Sequence, residues 1–247
     1  MARPRFIGVR YSPWSARARM ALDLAGVDYE YEEYLAQIGE PWLRWRIGRW
    51  TGKVTVPVLL TDDGPLTDSF DIARWAARQA GGAPWMPLDR LEAIGRWNEV
   101  ASRALEASRL RTTRRTLGDP DALRAAMPPW LAALGPVGLA VGRFAANGLL
   151  SKYGTPDQDD AACERQLTAS LEAIRAGLAG RDTLLEAFSW ADCTAATALT
   201  FVSPPGRTWL RLGAAARRAW QEPELAERFA DLVAWRDRVY GRWSPRI

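Results

Sequence analysis

The sequence predicts a small α/β domain over residues 1–80, a linker at 81–88 and an all-α domain over 89–247. Three observations carry that reading. The chain opens β-α-β, with strand-length apolar runs on either side of a stretch of helical period. A glycine- and proline-rich break, Ala80-Gly81-Gly82-Ala83-Pro84 with Pro87 beyond it, follows the last strand signal. Past the break the composition shifts to Ala, Leu and Arg, and no further strand pattern occurs.

Arg5-Phe6-Ile7-Gly8-Val9 is short and apolar enough for a buried strand. The corner Tyr11-Ser12-Pro13-Trp14-Ser15 then starts a helix at Pro13 or Trp14. Proline suits the first helical position, because the N–H it lacks would be unpaired there. The helix runs to Leu24, with Gly26 as its C′ residue. Val27 to Glu32 alternates apolar and acidic residues, the period of a half-exposed strand. The β-α-β order implies a right-handed crossover and parallel pairing. Pro41 to Arg49 has helical spacing. Val54 to Leu60 reads as a strand interrupted by Pro57, which marks an edge, a bulge or a cis peptide. Asp62-Asp63-Gly64-Pro65 is a turn, Leu66 a brief return strand, and Ser69–Gln79 a helix. Further helices are predicted at 89–116, 120–134, 138–152, 157–179, 190–201 and 222–240. Ser189-Trp190-Ala191-Asp192 is a capping box with Asp in place of Glu, a structural motif.

Composition narrows the chemistry. The chain has 247 residues, 48% hydrophobic, and a net charge of +4. Lys53 and Lys152 are the only lysines among 33 basic residues. The densest cluster, Arg109, Arg111, Arg114 and Arg115, reads as a solvated helix face, and no nucleic-acid partner is expected. There is no histidine. Ser-His-Asp and Cys-His catalysis, histidine bases and histidine metal ligands are therefore excluded. Cys163 and Cys193 form no CxxC pair, so no metal site and no thiol-disulfide centre are expected, and a reducing, cytoplasmic setting is the simplest. Arg3 and Arg5 have no apolar core of signal-peptide length behind them. Met127 to Gly142 is apolar but is broken by Pro128, Pro129 and Pro136 and closed by Arg143. A span needs about 20 apolar residues, so this segment reads as a buried, broken helical region and not as a transmembrane helix.

The corner at Ser12 sets a hydroxyl beside the unpaired N–H groups of a helix start, a place that favours an anion. It is equally the place of an ordinary N-cap bonding Trp14 or Ser15. Four motifs now stand in order: Ser12-Pro13-Trp14-Ser15 with Arg17, Val56-Pro57-Val58-Leu59, Leu66-Thr67-Asp68-Ser69 with Ile72, and Ser189-Trp190-Ala191-Asp192. Together they resemble the serine-type glutathione transferases of the cytosolic kind.

The resemblance implies a thioredoxin-like N-terminal domain, an all-helical C-terminal domain, a cis Val56–Pro57 bond, a homodimer and glutathione as co-substrate. It makes Ser12 the residue that contacts the glutathione sulfur, with Tyr11 as the rival activator. Val56, before Pro57, would pair its backbone with the cysteinyl part. Asp68 and Ser69 would hold the γ-glutamyl group. The family often has a lysine two residues before the cis proline. Thr55 stands there in this chain, leaving Lys53, Arg44 or Arg49 for the glycyl carboxylate. The implied activity joins the glutathione thiolate to a small hydrophobic electrophile, as in detoxification. Glutathione-dependent ether cleavage, dehalogenation or isomerisation would use the same thiolate. The alternative is a non-catalytic transferase-like binding or assembly module.

Overall fold

A small mixed sheet organises the first part of the chain. The computed structural model describes residues 3–35, 39–155 and 158–243. The sheet holds β1 (Arg5–Gly8), β2 (Glu30–Glu33), β3 (Val58–Thr61) and β4 (Gly64–Leu66), in the order β2-β1-β3-β4. β1 and β2 run parallel with Phe6 opposite Tyr31, as a βαβ opening requires. β3 pairs antiparallel with β1, Ile7 opposite Val58, and β4 antiparallel with β3, Leu59 opposite Leu66.

Three helices belong to this sheet: α1 (Pro13–Leu24), α2 (Glu40–Ile47) and α3 (Ser69–Gln79). α3 turns Ile72, Ala73, Ala76 and Ala77 inward, the i, i+4 row of an amphipathic helix. α1 buries Ala18, Ala21 and Leu22, and with them two arginines, Arg17 and Arg19. A core of Ile7, Val9, Tyr34, Leu43, Val54 and Val58 lies under β1 and β3. Gly8 is required at the strand end, because a Cβ there would meet the Phe6 ring at 2.6 Å.

The rest of the described chain is helical. It comprises α4 (Leu91–Gly118), α5 (Pro120–Ala125), α6 (Pro129–Ala132), α7 (Pro136–Tyr153), α8 (Asp160–Leu178), α9 (Trp190–Thr197), α10 (Ala214–Trp220), α11 (Pro223–Arg228) and α12 (Ala230–Gly241), with a 3₁₀ turn at Leu88–Arg90. The architecture is thus the expected α/β part followed by helices. By proximity of Cα atoms the chain forms two compact units. One holds Met1–Asn98, Thr183–Thr197 and Arg238–Ile247; the other holds Glu99–Asp182 and Ala198–Asp237. In the first, Phe70 stacks on Trp190 at 5.2 Å, and the Trp190 N–H bonds the Trp85 carbonyl at 2.7 Å. In the second, Arg111 binds Glu222 at 2.8 Å and Asp160 at 2.7 Å.

Several expectations need correcting. The strand expected from Val54 starts only at Val58. The helix expected over 120–134 is two, because the ring of Pro128 and then of Pro129 displaces the preceding backbone from the helical region. The helix expected over 190–201 ends at Thr197, and the one over 222–240 divides at Phe229. α10 was not anticipated: four Ala, two Arg and a closing Trp carry no apolar period. Asp157, the expected start of a helix, lies outside the described residues, and α8 starts at Asp160 with Asp159 as its cap.

Two misreadings matter more. The arginine cluster on α4 is no solvated face: Arg111 is nearly buried and answered by three carboxylates, and Arg115 shares Glu222 with it. The apolar stretch from Met127 is broken as expected but largely not buried. Trp130, Leu134, Val137, Val141 and Phe144 are all exposed. Among the described residues no helix is long and apolar enough to cross a membrane, and no cluster of acidic or cysteine side chains could hold a metal.

Candidate active site

The strand pairing decides which residues can meet. Ile7 opposite Val58 and Leu59 opposite Leu66 bring the C-terminal ends of β1 and β4 to the same end of the sheet as the N-terminal end of β3. β1 leads from that end into the Ser12 corner, Val56–Pro57 leads into β3, and β4 leads into Asp68–Ser69. Five of the candidate residues therefore gather at one sheet end, with the first turns of α1 and α3. Lys53 lies further back, exposed, in the loop before Val54.

At the corner, Ser12 adopts extended backbone (φ −75°, ψ 125°) and caps α1. Its N–H bonds the Val9 carbonyl at 3.0 Å, and its Oγ accepts from the Ser15 N–H at 3.4 Å. Ser15 is buried and accepts from the Val9 N–H through Oγ at 3.1 Å, which closes the corner from inside. The cap bond uses a lone pair of Ser12 Oγ, so the hydroxyl keeps its one proton to donate. No acidic residue stands in the first turn of α1, and the positive end of that helix is not neutralised locally. Tyr11 beside it is half exposed. Burial of its hydroxyl, and then Glu33, push its pKa above the ordinary phenol value, so it stays protonated.

The Val56–Pro57 peptide is cis. Pro57 is buried, Val56 only partly. In the loop before it, Arg44 is committed: Nη2 bonds Glu40 at 2.8 Å and the Gly52 carbonyl at 2.8 Å. Arg44 thereby holds the loop carrying the exposed Lys53 and Arg49.

At the start of α3, Asp68 is the N-cap. Its Oδ1 accepts from the Phe70 N–H at 2.7 Å and the Asp71 N–H at 3.4 Å. Both bonds go to one oxygen, and the carboxylate is exposed. Ser69 is buried, and its Oγ accepts from Arg17 Nε at 2.9 Å. Arg17 Nη1 donates to Thr194 Oγ1 at 3.0 Å, and the Thr194 hydroxyl bonds Asn98 Oδ1 at 3.2 Å. A buried guanidinium, 2% exposed, thus ties α1 to α3 and to α9. Sequence reading placed Arg17 in a motif but missed this role. The signal was present: Arg17 lies on the same inward arc of α1 as Ala18, Ala21 and Leu22.

Half of the expected capping box forms: Asp192 reaches back to Ser189, while the Ser189 hydroxyl donates to the Asp192 carboxylate at 3.3 Å and the Asp192 N–H bonds the Ser189 carbonyl at 3.0 Å. Asp192 Oδ2 accepts from the Ser189 N–H at 2.8 Å, and Oδ1 also accepts from the Leu184 N–H at 2.7 Å. Burial raises the Asp192 pKa, with these bonds opposing it. Burial likewise pushes the neighbouring Cys193 thiol far up, so this cysteine offers no thiolate.

Residues 11–79 match the model of the glutathione S-transferase N-terminal domain. No curated protein sequence matches the chain. Similar solved structures include a glutathione S-transferase of Methylobacterium radiotolerans JCM 2831 in complex with glutathione sulfonate. It is 21% identical, with 98% of this chain and 92% of that one covered and a TM-score of 0.61. Glutathione S-transferase I from maize, in complex with an atrazine glutathione conjugate, is 20% identical over 98% and 93% of the two chains, with a TM-score of 0.56. A glutathione S-transferase of Methylobacillus flagellatus KT with bound glutathione is 17% identical over 98% and 96%, with a TM-score of 0.58. The segment around the corner and the two helix starts is thus similar to glutathione S-transferase N-terminal domains, and the chain as a whole has the glutathione S-transferase fold, a thioredoxin-like part followed by helices.

Proposed function

We propose that the chain is a glutathione transferase whose Ser12 hydroxyl steadies the glutathione thiolate for attack on a small hydrophobic electrophile. The observation that carries this reading is the gathering of Ser12, Val56–Pro57 and Asp68–Ser69 at one sheet end between two helix N-termini. In the reaction the thiol of glutathione gives up its proton, the sulfur forms a bond to the electrophilic carbon, and the leaving group departs with the bonding pair. A free thiol near pKa 8.5 is mostly protonated at neutral pH. A hydroxyl donating to the thiolate is worth about 1.5–3 kcal/mol. At about 1.4 kcal/mol per unit, that lowers the thiol pKa by roughly one to two units. The first turn of α1 adds to the effect. The cap role and the activating role of Ser12 are compatible, since one uses a lone pair and the other the proton.

The rest of the tripeptide follows from the same end of the sheet. The Ser69 N–H, in the first turn of α3, receives the γ-glutamyl carboxylate, with the buried Arg17 charge behind it. Asp68 takes the ammonium through the oxygen that does not cap the helix. Val56 offers its backbone to the cysteinyl part. Lys53 meets the glycyl carboxylate, Arg44 being committed to Glu40 and the loop. This reading carries with it a homodimer, a cytoplasmic setting and detoxification by thioether formation.

Retention on immobilised glutathione together with turnover of a generic aromatic halide tests the assignment. Both are expected. A folded protein that neither binds nor turns over would instead be a transferase-like binding or assembly module. Asp68→Ala should weaken glutathione binding about tenfold, as loss of a charge-assisted hydrogen bond does; unchanged affinity would reduce Asp68 to its capping role.

A further inference from the structure

We infer that α6 and the first half of α7 form a docking face for an anionic lipid surface. α7 packs inward by a glycine edge. A Cβ at Gly138 would meet the Leu131 carbonyl oxygen at 2.1 Å, and one at Gly142 the Met127 sulfur at 2.5 Å. Gly138 and Gly142 are also the residues of α7 that are buried. With the glycine edge turned in, the side-chain-bearing arc turns out. Val137, Val141 and Phe144 follow at spacings of four and three and so share one face; they are 64%, 44% and 82% exposed. Trp130 and Leu134, at and just beyond α6, are also exposed, 62% and 53%. Contiguous exposed apolar faces of this kind mark interaction sites.

Charge selects the occupant. No Asp or Glu occurs from Ala122 to Thr155, while Arg124, Arg143 and Lys152 do. Arg124 is paired with Asp121 at 2.8 Å. Arg143, in the middle of α7, is exposed and makes no ion pair among the described residues. An isologous contact between two copies would set this face against itself, like charge near like charge, with no carboxylate in the segment to answer it. An exposed apolar arc with Phe and Val, on a helix that carries the exposed Arg143 and no acidic residue, is instead what lies in the plane of an anionic bilayer interface. The helix lies on such a surface and does not cross it.

Co-sedimentation of the full chain with vesicles tests this. One set is phosphatidylcholine alone, the other phosphatidylcholine with phosphatidylglycerol. Binding to the phosphatidylglycerol vesicles is expected, weaker binding to the neutral ones, and loss of the difference at high salt. Val141→Asp with Phe144→Asp should lower the affinity by about a hundredfold, roughly tenfold per side chain withdrawn from the interface. Arg143→Ala should lower it about fivefold on the anionic vesicles alone. Both apolar side chains are exposed, so the circular dichroism spectrum should not change. Absence of binding to either set overturns the proposal, as does binding that the double variant leaves intact. An oligomer of the parent that the double variant dissociates also overturns it, and assigns the face to a second copy.

Discussion

At the scale of single residues, Arg17 is the side chain whose removal separates scaffold from site. It is buried, and its hydrogen bonds reach Ser69 on α3 and Thr194 on α9. Replacing it with Leu leaves two buried hydroxyls short of a donor and should destabilise the protein by about 2–4 kcal/mol. If Ser69 receives a carboxylate, Arg17→Lys should restore most of the stability but little of the glutathione affinity, because an ammonium lacks the fork that spans both hydroxyls. Parallel denaturation and binding titrations check this; equal rescue of both would leave Arg17 a purely structural bolt. The Ser12 corner was legible from sequence as a helix start, because serine before proline at a strand-to-helix bend suits an N-cap, which Ser12 is. Arg17 was not, since a charged side chain is expected in water unless its partners are known, and here they lie far along the chain.

At the scale of elements, the Ser189–Asp192 box shows a local motif acquiring a tertiary duty. The sequence predicted the bond from the Ser189 N–H back to Asp192. It did not predict the second oxygen reaching the Leu184 N–H. Asp192→Ala should therefore cost about 3 kcal/mol, more than a lost cap alone, because two buried N–H groups lose their acceptors. The pH dependence has a definite sign. Burial holds the folded-state pKa of Asp192 above its unfolded value, so the folded state binds the proton more tightly. The group's contribution is fully present below the unfolded value near 3.8 and declines as pH rises through the raised folded one. Denaturation of the parent and of Asp192→Asn across that range should show the parent's relative stability falling as pH rises; a rising difference contradicts the assignment. α1 and α3 were readable to within a residue, α3 from its apolar period and α1 from Pro13 at its start and Gly26 beyond its end. The short α10 and the exposed arc of α7 were not, because apolar composition does not say whether a helix packs by its side chains or by its glycines.

At the scale of the whole molecule, the architecture followed from order: strand, helix, strand, then a proline-interrupted strand, a glycine-rich break and helices to the end. The absence of histidine governs the chemistry. With no imidazole in the chain, no side chain has an unperturbed pKa between about 5 and 8. Cys193 is pushed far above that range by burial. On the proposed reading, the ionisation that controls turnover near neutrality is that of the bound thiol. A rate that rises once with pH, with one apparent pKa, is the expected profile.

The most direct measurement is the apparent pKa of the glutathione thiol bound to the parent protein, to Ser12→Ala and to Tyr11→Phe, read from pH–rate profiles under single-turnover conditions. The parent should lie roughly one to two units below the free thiol near 8.5, Ser12→Ala should return most of that shift and slow turnover at neutral pH by about ten- to a hundredfold, and Tyr11→Phe should change neither. A profile unmoved by Ser12→Ala but displaced by Tyr11→Phe would contradict the account.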